Sequence, residues 1–337
     1  MIDLQNAPFS NATTAWVISD GTKGMEVQSI GLAERMGLET TVIRLKPPSH
    51  LRSMPRLGQW PLMGLPHAIK PYADAGWPDL IITTGRRMAG LSILLRRLAK
   101  GKSKTIHIQD PKLPSHLFDV MVVPSHDRLR GDNVLVTTGS LNNLTAAKIS
   151  AAADDVPDLI NILPKPMIVV MIGGNNRRYA VGEAELYRLG EHINALAHAT
   201  DSSVAFVPSR RSSDLAASCI RKMMGRDLIT TPSYWIWDPE EDDNPYPGIL
   251  AHASAVVVTS DSVNMTSEAC LSGKPVFRYD FREEQGRIGL FHMIMDRGGY
   301  TKPLEPITPS TFPGSAGESL DETGRVAQIL TGRPAKK

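Results

Sequence analysis

Short apolar runs separated by helical patterns constrain this 337-residue chain more than any other feature. Ala15–Ser19 reads as a strand and Met25–Met36 as a helix. Thr40–Leu45, Asp79–Thr84, Thr105–Gln109, Val120–Val123 and Val134–Thr137 read as further strands, with Arg87–Lys100 as the clearest helix between them. Such alternation predicts βα units around a mostly parallel sheet covered by helices. Asp154–Pro166, acidic and proline-rich, has the composition of an interdomain linker. The alternation then restarts. Met167–Ile172, Ser203–Val207, Tyr234–Trp237, Ala255–Thr259 and Val276–Tyr279 read as strands. Glu183–Ala199, Asp214–Met224, Pro247–His252, Val263–Leu271 and Glu284–Arg297 read as helices.

The expected fold class is therefore α/β, with two Rossmann-like domains facing each other across a cleft. Residues 1–160 form the first domain and 161–337 the second, and a last helix, Glu318–Leu330, packs back on the first. Two domains also agree with length, since single cores stop growing at about 250–300 residues. Ligands of such sheets sit at the carboxyl ends of the strands.

Composition narrows the function class. Hydrophobic residues at 42% and charged residues at 21% describe a globular chain. No apolar run approaches the ~18 residues needed to cross a bilayer. Met1–Asn11 lacks the basic start and apolar stretch of a signal peptide. Cys219 and Cys270 read as buried thiols of a reducing compartment, which makes the expected location cytoplasmic. No Cys/His spacing resembles a zinc site, so no metal is expected. Net charge is only +2, but Arg35–Lys104 carries thirteen Lys/Arg against three Asp/Glu. Such a stretch suits an anionic membrane surface, on which the chain would sit peripherally at the cytoplasmic face, or a lipid-linked or phosphorylated acceptor. Nucleic acid is not an expected partner, because no binding module and no aromatic platform accompanies the basic residues. Within that stretch Lys46–Pro71 holds six prolines together with Trp60, Leu62, Met63 and Leu65, and reads as a long apolar loop.

Polar residues gather where the predicted strands end. In the second half the most specific stretch follows Ala255–Val258: Thr259-Ser260-Asp261-Ser262-Val263-Asn264-Met265-Thr266-Ser267-Glu268, then Gly273-Lys274-Pro275-Val276. Its small polar residues suit a helix N-terminus, where free N–H groups and the helix dipole attract phosphate. Glu268 falls about two turns into that helix, within reach of a ribose diol when a diphosphate occupies the cap. Gly173-Gly174-Asn175 ends another strand and permits close backbone approach to a ligand. Ser209-Arg210-Arg211 ends the next, and paired guanidinium forks match a diphosphate. Asn244 and Tyr246, in Asp243-Asn244-Pro245-Tyr246, are placed to hold a base or sugar. In the first half Ser19-Asp20-Gly21-Thr22-Lys23-Gly24 ends a strand, with Gln28 a turn further on. Gly85-Arg86-Arg87, Gln109-Asp110-Pro111 and His126-Asp127 follow other strands. Each has a plainer structural reading: Asp20 as a helix cap, Arg86 and Arg87 as surface charge, Asp110 as a turn former.

These motifs together resemble the mitochondrial fission ELM family, over about residues 14–305. The resemblance rests on Trp16-Val17-Ile18-Ser19-Asp20-Gly21 with Lys23-Gly24 and Gln28, Gly85-Arg86-Arg87 and Gln109-Asp110-Pro111. It continues through Gly173-Gly174-Asn175, Ser209-Arg210-Arg211, Asp243-Asn244-Pro245-Tyr246 and Asp261-Ser262-Val263-Asn264-Met265 with Ser267-Glu268-Ala269. The family in turn looks like glycosyltransferases of the two-Rossmann-domain (GT-B) type, which use nucleotide sugars without an obligatory metal.

The resemblance implies transfer of a sugar from a nucleotide-diphosphate donor to an envelope lipid or glycan acceptor, with the nucleotide sugar as substrate and no cofactor. The donor side comprises Gly173, Gly174, Asn175, Ser209, Arg210, Arg211, Asn244, Tyr246, Ser260, Ser262, Val263, Asn264, Met265 and Glu268. The acceptor or anion side comprises Ser19, Gly21, Lys23, Gly24, Gln28, Arg86, Arg87 and Gln109. Asp20 is the first choice of general base, with Asp110 and His126 behind it. Two alternatives stand: a nucleotide-sugar epimerase or hydrolase on the same fold, and a non-catalytic adaptor that binds a membrane or partner.

Overall fold

The computed structural model describes residues 6–46, 67–175, 181–209, 213–224, 233–237, 245–282, 285–304, 312–315 and 317–336. The chain divides into two compact units, residues 1–143 with 321–337, and residues 144–320.

The first unit begins with β1 (Thr14–Ser19), α1 (Lys23–Met36), β2 (Glu39–Arg44) and α2 (Lys70–Ala75). It continues with β3 (Leu80–Thr84), α3 (Arg86–Leu98), β4 (Lys104–Ile108), β5 (Val120–Pro124) and β6 (Val134–Thr137). Among the described residues its sheet is parallel and six-stranded, in the order β2-β1-β3-β4-β5-β6. Side chains alternate across the pleat, so each strand feeds two cores. Ala15 and Val17 pack with Leu32, Leu80, Ile82 and Ile106 on one face. Trp16 and Ile18 pack with Ile81, Met88, Leu91 and Leu95 on the other. Burial on both faces explains why these strands read as continuous apolar runs.

The second unit contains α4 (Ala146–Ala151), α5 (Asp158–Ile162), β7 (Met167–Ile172), α6 (Glu183–Ala199), β8 (Ser203–Pro208) and α7 (Ser213–Met224). It continues with β9 (Tyr234–Ile236), α8 (Tyr246–His252), β10 (Ala255–Thr259), α9 (Val263–Leu271), β11 (Val276–Tyr279), α10 (Gly286–Arg297) and β12 (Lys302–Pro303). Its described strands form a second parallel sheet, in the order β12-β11-β10-β7-β8-β9. Asp154–Pro166 lies inside this unit, and the fully buried Ile160 fixes it there.

The last helix, α11 (Glu322–Thr331), belongs to the first unit. Val326, Ala327 and Leu330 enter its core beside Leu32 and Ala33 of α1. Arg35 ion-pairs with Asp321, Thr323 exchanges hydrogen bonds with the backbone of Asn142, and Phe9 N donates to Leu330 O at 2.8 Å.

Both described cysteines are buried free thiols. No described helix is long and apolar enough to cross a membrane. Among the described residues no group of His, Cys, Asp or Glu could hold a metal ion. Most of the proline-rich loop, residues 47–66, lies outside the described residues.

Candidate functional site

In the second unit, connections from β7 run through β8 to β9 on one side, while β10 lies on the other. The carboxyl ends of β7 and β10 therefore flank a topological switch point, where sheets of this kind bind ligands. Gly173 and Gly174 leave β7 there. Gly173 N donates to Thr259 Oγ1 at 2.8 Å, and Gly174 N donates to Asp261 Oδ2 at 2.9 Å. Thr259 Oγ1 donates to Asp261 Oδ1 at 2.7 Å. Asp261, 5% exposed, thus ties the glycine turn to the residues that enter α9. A β-carbon on Gly173 would lie 2.0 Å from Asp261 Oδ2, so the turn and the carboxylate fit only because that residue is glycine.

Helix α9 starts at the same place. Ser262 caps it, its hydroxyl accepting from Met265 N at 3.4 Å. His292 Nε2 on α10 bonds the Ser260 carbonyl at 2.8 Å and fixes the approach to the cap. No acidic residue occupies the first turn of α9, so its positive end is not neutralised from within. Further along α9, Glu268 hydrogen-bonds the buried Tyr246 phenol of α8. Burial pushes the Glu268 carboxyl up to about 7, and the bond from Tyr246 only partly offsets this. The phenol is driven well above its ordinary value by burial and by the facing carboxyl. At neutral pH this pair therefore holds a titrating proton two turns behind the cap.

The other donor-side residues fall into two groups. Asn175 follows the glycine turn and accepts from Val181 N at 2.6 Å. Ser209 ends β8, its N–H donating to Ile172 O at 2.7 Å. Ser260, Val263, Asn264 and Met265 surround the α9 cap. Arg210, Arg211 and Asn244 lie outside the described residues.

The first unit has an equivalent switch point between β1 and β3. Gly21 N donates to Ser19 Oγ at 2.9 Å, and Asp20 Oδ1 accepts from Thr22 N at 3.0 Å. Asp20 Oδ2 accepts from Arg87 at 2.9 Å. Burial raises the Asp20 carboxyl, but bonds from Thr22 and the Arg87 guanidinium outweigh it and hold it below the usual carboxylate range. Gly85, at φ 82°, opens α3 without a side-chain cap, and Arg86 stands exposed beside it. Gln28 Nε2 donates to Gly24 O at 2.8 Å, and Gln109 Nε2 lies 3.5 Å from Gln28 Oε1. Gln109 adopts φ 73°, a conformation that costs a non-glycine residue about 1 kcal/mol or more. Lys23, in the first turn of α1, adds positive charge beside Glu26. Asp110 is buried and ion-paired with Lys112. His126 is buried beyond β5, 6% exposed.

In sequence, Thr259 and Asp261 stand in the polar stretch after Ala255–Val258 but not among the donor-side residues, and His292 is not singled out. The detectable signal was Thr-x-Asp directly after a buried strand, which places a carboxylate back over the neighbouring strand end.

The two parallel α/β units, each with its switch point, give the chain a two-Rossmann-unit, GT-B-like fold. Solved structures agree on this fold. The Staphylococcus aureus MnaA–UDP co-structure aligns with a TM-score of 0.56 at 14% identity, covering 95% of this chain and 91% of that one. A putative UDP-N-acetylglucosamine 2-epimerase from Listeria monocytogenes aligns at 0.53 and 12% identity, covering 97% and 93%. Acinetobacter baumannii MurG aligns at 0.50 and 12% identity, covering 95% and 93%. A profile of the mitochondrial fission ELM1 family matches residues 23–333, and the chain belongs to that family. It is 30% identical over 300 residues to the Rickettsia prowazekii protein RP120, covering 78% of this chain and 82% of that protein. It is 33% identical over 239 residues to Arabidopsis thaliana mitochondrial fission protein ELM1, covering 64% of this chain and 54% of that protein.

Proposed function

We propose that this chain is a glycosyltransferase that takes a sugar from a nucleoside diphosphate donor bound by the second unit. The observation that carries the reading is the Gly173–Gly174 turn held by Asp261 beside the N-terminus of α9. The α9 N-terminus at the switch point suits a diphosphate, and the Gly173–Gly174 turn, its N–H groups engaged by Thr259 and Asp261, holds the neighbouring backbone beside it. Structures with the same fold support the ligand class: the Staphylococcus aureus protein was solved with UDP, and a Neisseria meningitidis 2-epimerase with UDP-GlcNAc. In this reading the helix terminus stabilises the leaving diphosphate, aided by Arg210 and Arg211. Glu268 receives the ribose, exchanging its bond to Tyr246 for a sugar hydroxyl. The first unit supplies the acceptor side through Ser19, Gly21, Lys23, Gly24, Gln28, Arg86, Arg87 and Gln109. Asp20 serves as base once an acceptor hydroxyl replaces one of its present partners. The donor requires no divalent cation and the enzyme no cofactor.

A second reading, epimerase or hydrolase, is favoured by the fold shared with the 2-epimerases. Both readings need the same nucleotide site and differ in the need for an acceptor. The test is a thermal-stability screen of nucleoside diphosphates and their sugars, followed by nucleotide release with and without a lipid-linked acceptor. A ligand at 100 times its Kd should add about 2.7 kcal/mol. Stabilisation by a diphosphate with acceptor-dependent release supports transfer. Nucleotide release without acceptor, or an inverted sugar on the intact nucleotide, supports the second reading, and no stabilisation by any nucleotide overturns both.

A further inference from the structure

We propose that the amino-end pole of the first unit's sheet docks on an anionic lipid bilayer. At this pole α3 ends and the chain returns to β4 through Lys100-Gly101-Lys102-Ser103-Lys104. Arg97, Lys100, Lys102 and Lys104 are exposed, and none ion-pairs with a carboxylate among the described residues. The C-terminal end of α3 accounts for Arg97, since cations favour that end of a helix dipole. Lys102 and Lys104 lie beyond it. Ser103 turns inward and donates to Pro78 O at 2.6 Å, and Lys104 N donates to Asp79 O at 2.9 Å. These bonds fix a lysine-rich return rather than leaving it as a free loop.

The nearby carboxylates do not neutralise it. Asp119 is engaged by Arg96, and Asp79 Oδ2 accepts from the backbone and hydroxyls of Thr13 and Thr14. On α2, Lys70 and Asp74 are both exposed and carry opposite charges four residues apart.

Apolar surface accompanies the charge. Leu98 is 41% exposed within the cationic cluster. The Pro78 segment that Ser103 holds begins at Trp77, whose ring lies 5.5 Å from Trp16, and Trp16 in turn contacts Tyr72, 40% exposed. Four unpaired cations around an exposed leucine, with an aromatic group alongside, suit lipid: headgroups take the charges while Leu98 and Tyr72 reach the interface. A nucleic acid would use the cations but has no use for the exposed leucine. This surface lies at the opposite end of the strands from Asp20 and Gly85, so its test is independent of the nucleotide reading.

The test is co-sedimentation of the full chain with vesicles at low salt, using pure phosphatidylcholine and an equimolar mixture with phosphatidylglycerol. The chain should pellet with the anionic vesicles only, and raised salt should release it. Lys100→Glu with Lys102→Glu should lower partitioning by roughly tenfold or more. Leu98→Ser should lower it by a smaller factor, while Lys222→Glu in the second unit should leave it unchanged. Circular dichroism and thermal unfolding of the double variant establish that its fold is intact. Wild-type recovery in the supernatant with both vesicles, unchanged partitioning of the double variant, or retention on a nucleic acid column without vesicle binding would each overturn the proposal.

Discussion

The Asp261 carboxylate occupies the space a β-carbon on Gly173 would need, 2.0 Å away, while accepting from Gly174 N at 2.9 Å. One side chain thus sets the backbone path at the end of β7 and links it to the entrance of α9. Gly173→Ala must move either the turn or the carboxylate, at about 1–3 kcal/mol. Asp261→Ala removes the acceptor from Gly174 N–H and the Thr259 hydroxyl, at about 1–3 kcal/mol. Urea unfolding measures both costs. Wild-type midpoints in both variants would show that the contact does not organise the turn.

Glu268 should make stability fall with pH. Below about pH 4.5, its ordinary value, the carboxyl is protonated in folded and unfolded chains alike. Between there and about 7 the unfolded chain loses the proton while the folded one keeps it, which favours unfolding. Above 7 the full cost is present, roughly 3 kcal/mol at 1.36 kcal/mol per pKa unit. Glu268→Gln removes it, so the variant should gain stability over wild type at pH 8 and show little difference at pH 4. Parallel denaturation curves at both pH values check this, and an equal difference at the two would rule out the raised carboxyl.

The Asp20–Arg87 pair should set the acid limb of catalysis. Asp20 is held low, so as the base it stays ionised down to pH values below the ordinary carboxylate range. Arg87→Ala removes one of the groups that lower it and should move the limb upward. Asp20→Asn should reduce turnover by about 10²–10⁴-fold with donor affinity nearly unchanged. An active wild type with an unimpaired Asp20→Asn variant would transfer the role to Asp110 or His126.

Much of this fold is legible in the sequence because strands buried on both faces leave uninterrupted β-branched runs, as in Ala255–Thr259 and Met167–Ile172. Connections are less legible. Asp154–Pro166 has a linker's composition, yet Ile160, with Val156 and Leu163 packed against the same cluster, roots it in the second core. The site is legible as strand ends but not as contacts. Gly174 and Asp261 are 87 residues apart, and only strand order brings them together. Likewise Tyr246 and Glu268 stand out individually, but their pairing depends on how α8 and α9 pack. In sequence Asp20 reads as a helix cap or a general base, and its pairing with Arg87 is not legible, because Arg87 reaches it only through the β1–β3 register.

Donor binding should not depend on a divalent cation. No Asp-x-Asp pair stands at the α9 entrance, where Asp261 lies between Ser260 and Ser262 and is already engaged by Gly174 and Thr259. On the proposed reading the helix terminus should supply the positive potential instead. Nucleotide titrations with and without a chelator should agree. A loss above about tenfold, ~1.4 kcal/mol, would show that a cation takes part.

The most direct measurement is a calorimetric titration of uridine diphosphate into wild type, Gly173→Ala and Glu268→Ala, each first shown to be folded. Wild type should bind the nucleotide. Glu268→Ala should lose about 1.5–3 kcal/mol, through the ribose, and Gly173→Ala at least as much, through the diphosphate. Equal affinity in all three folded proteins would contradict the assignment of the nucleotide to the second unit's switch point.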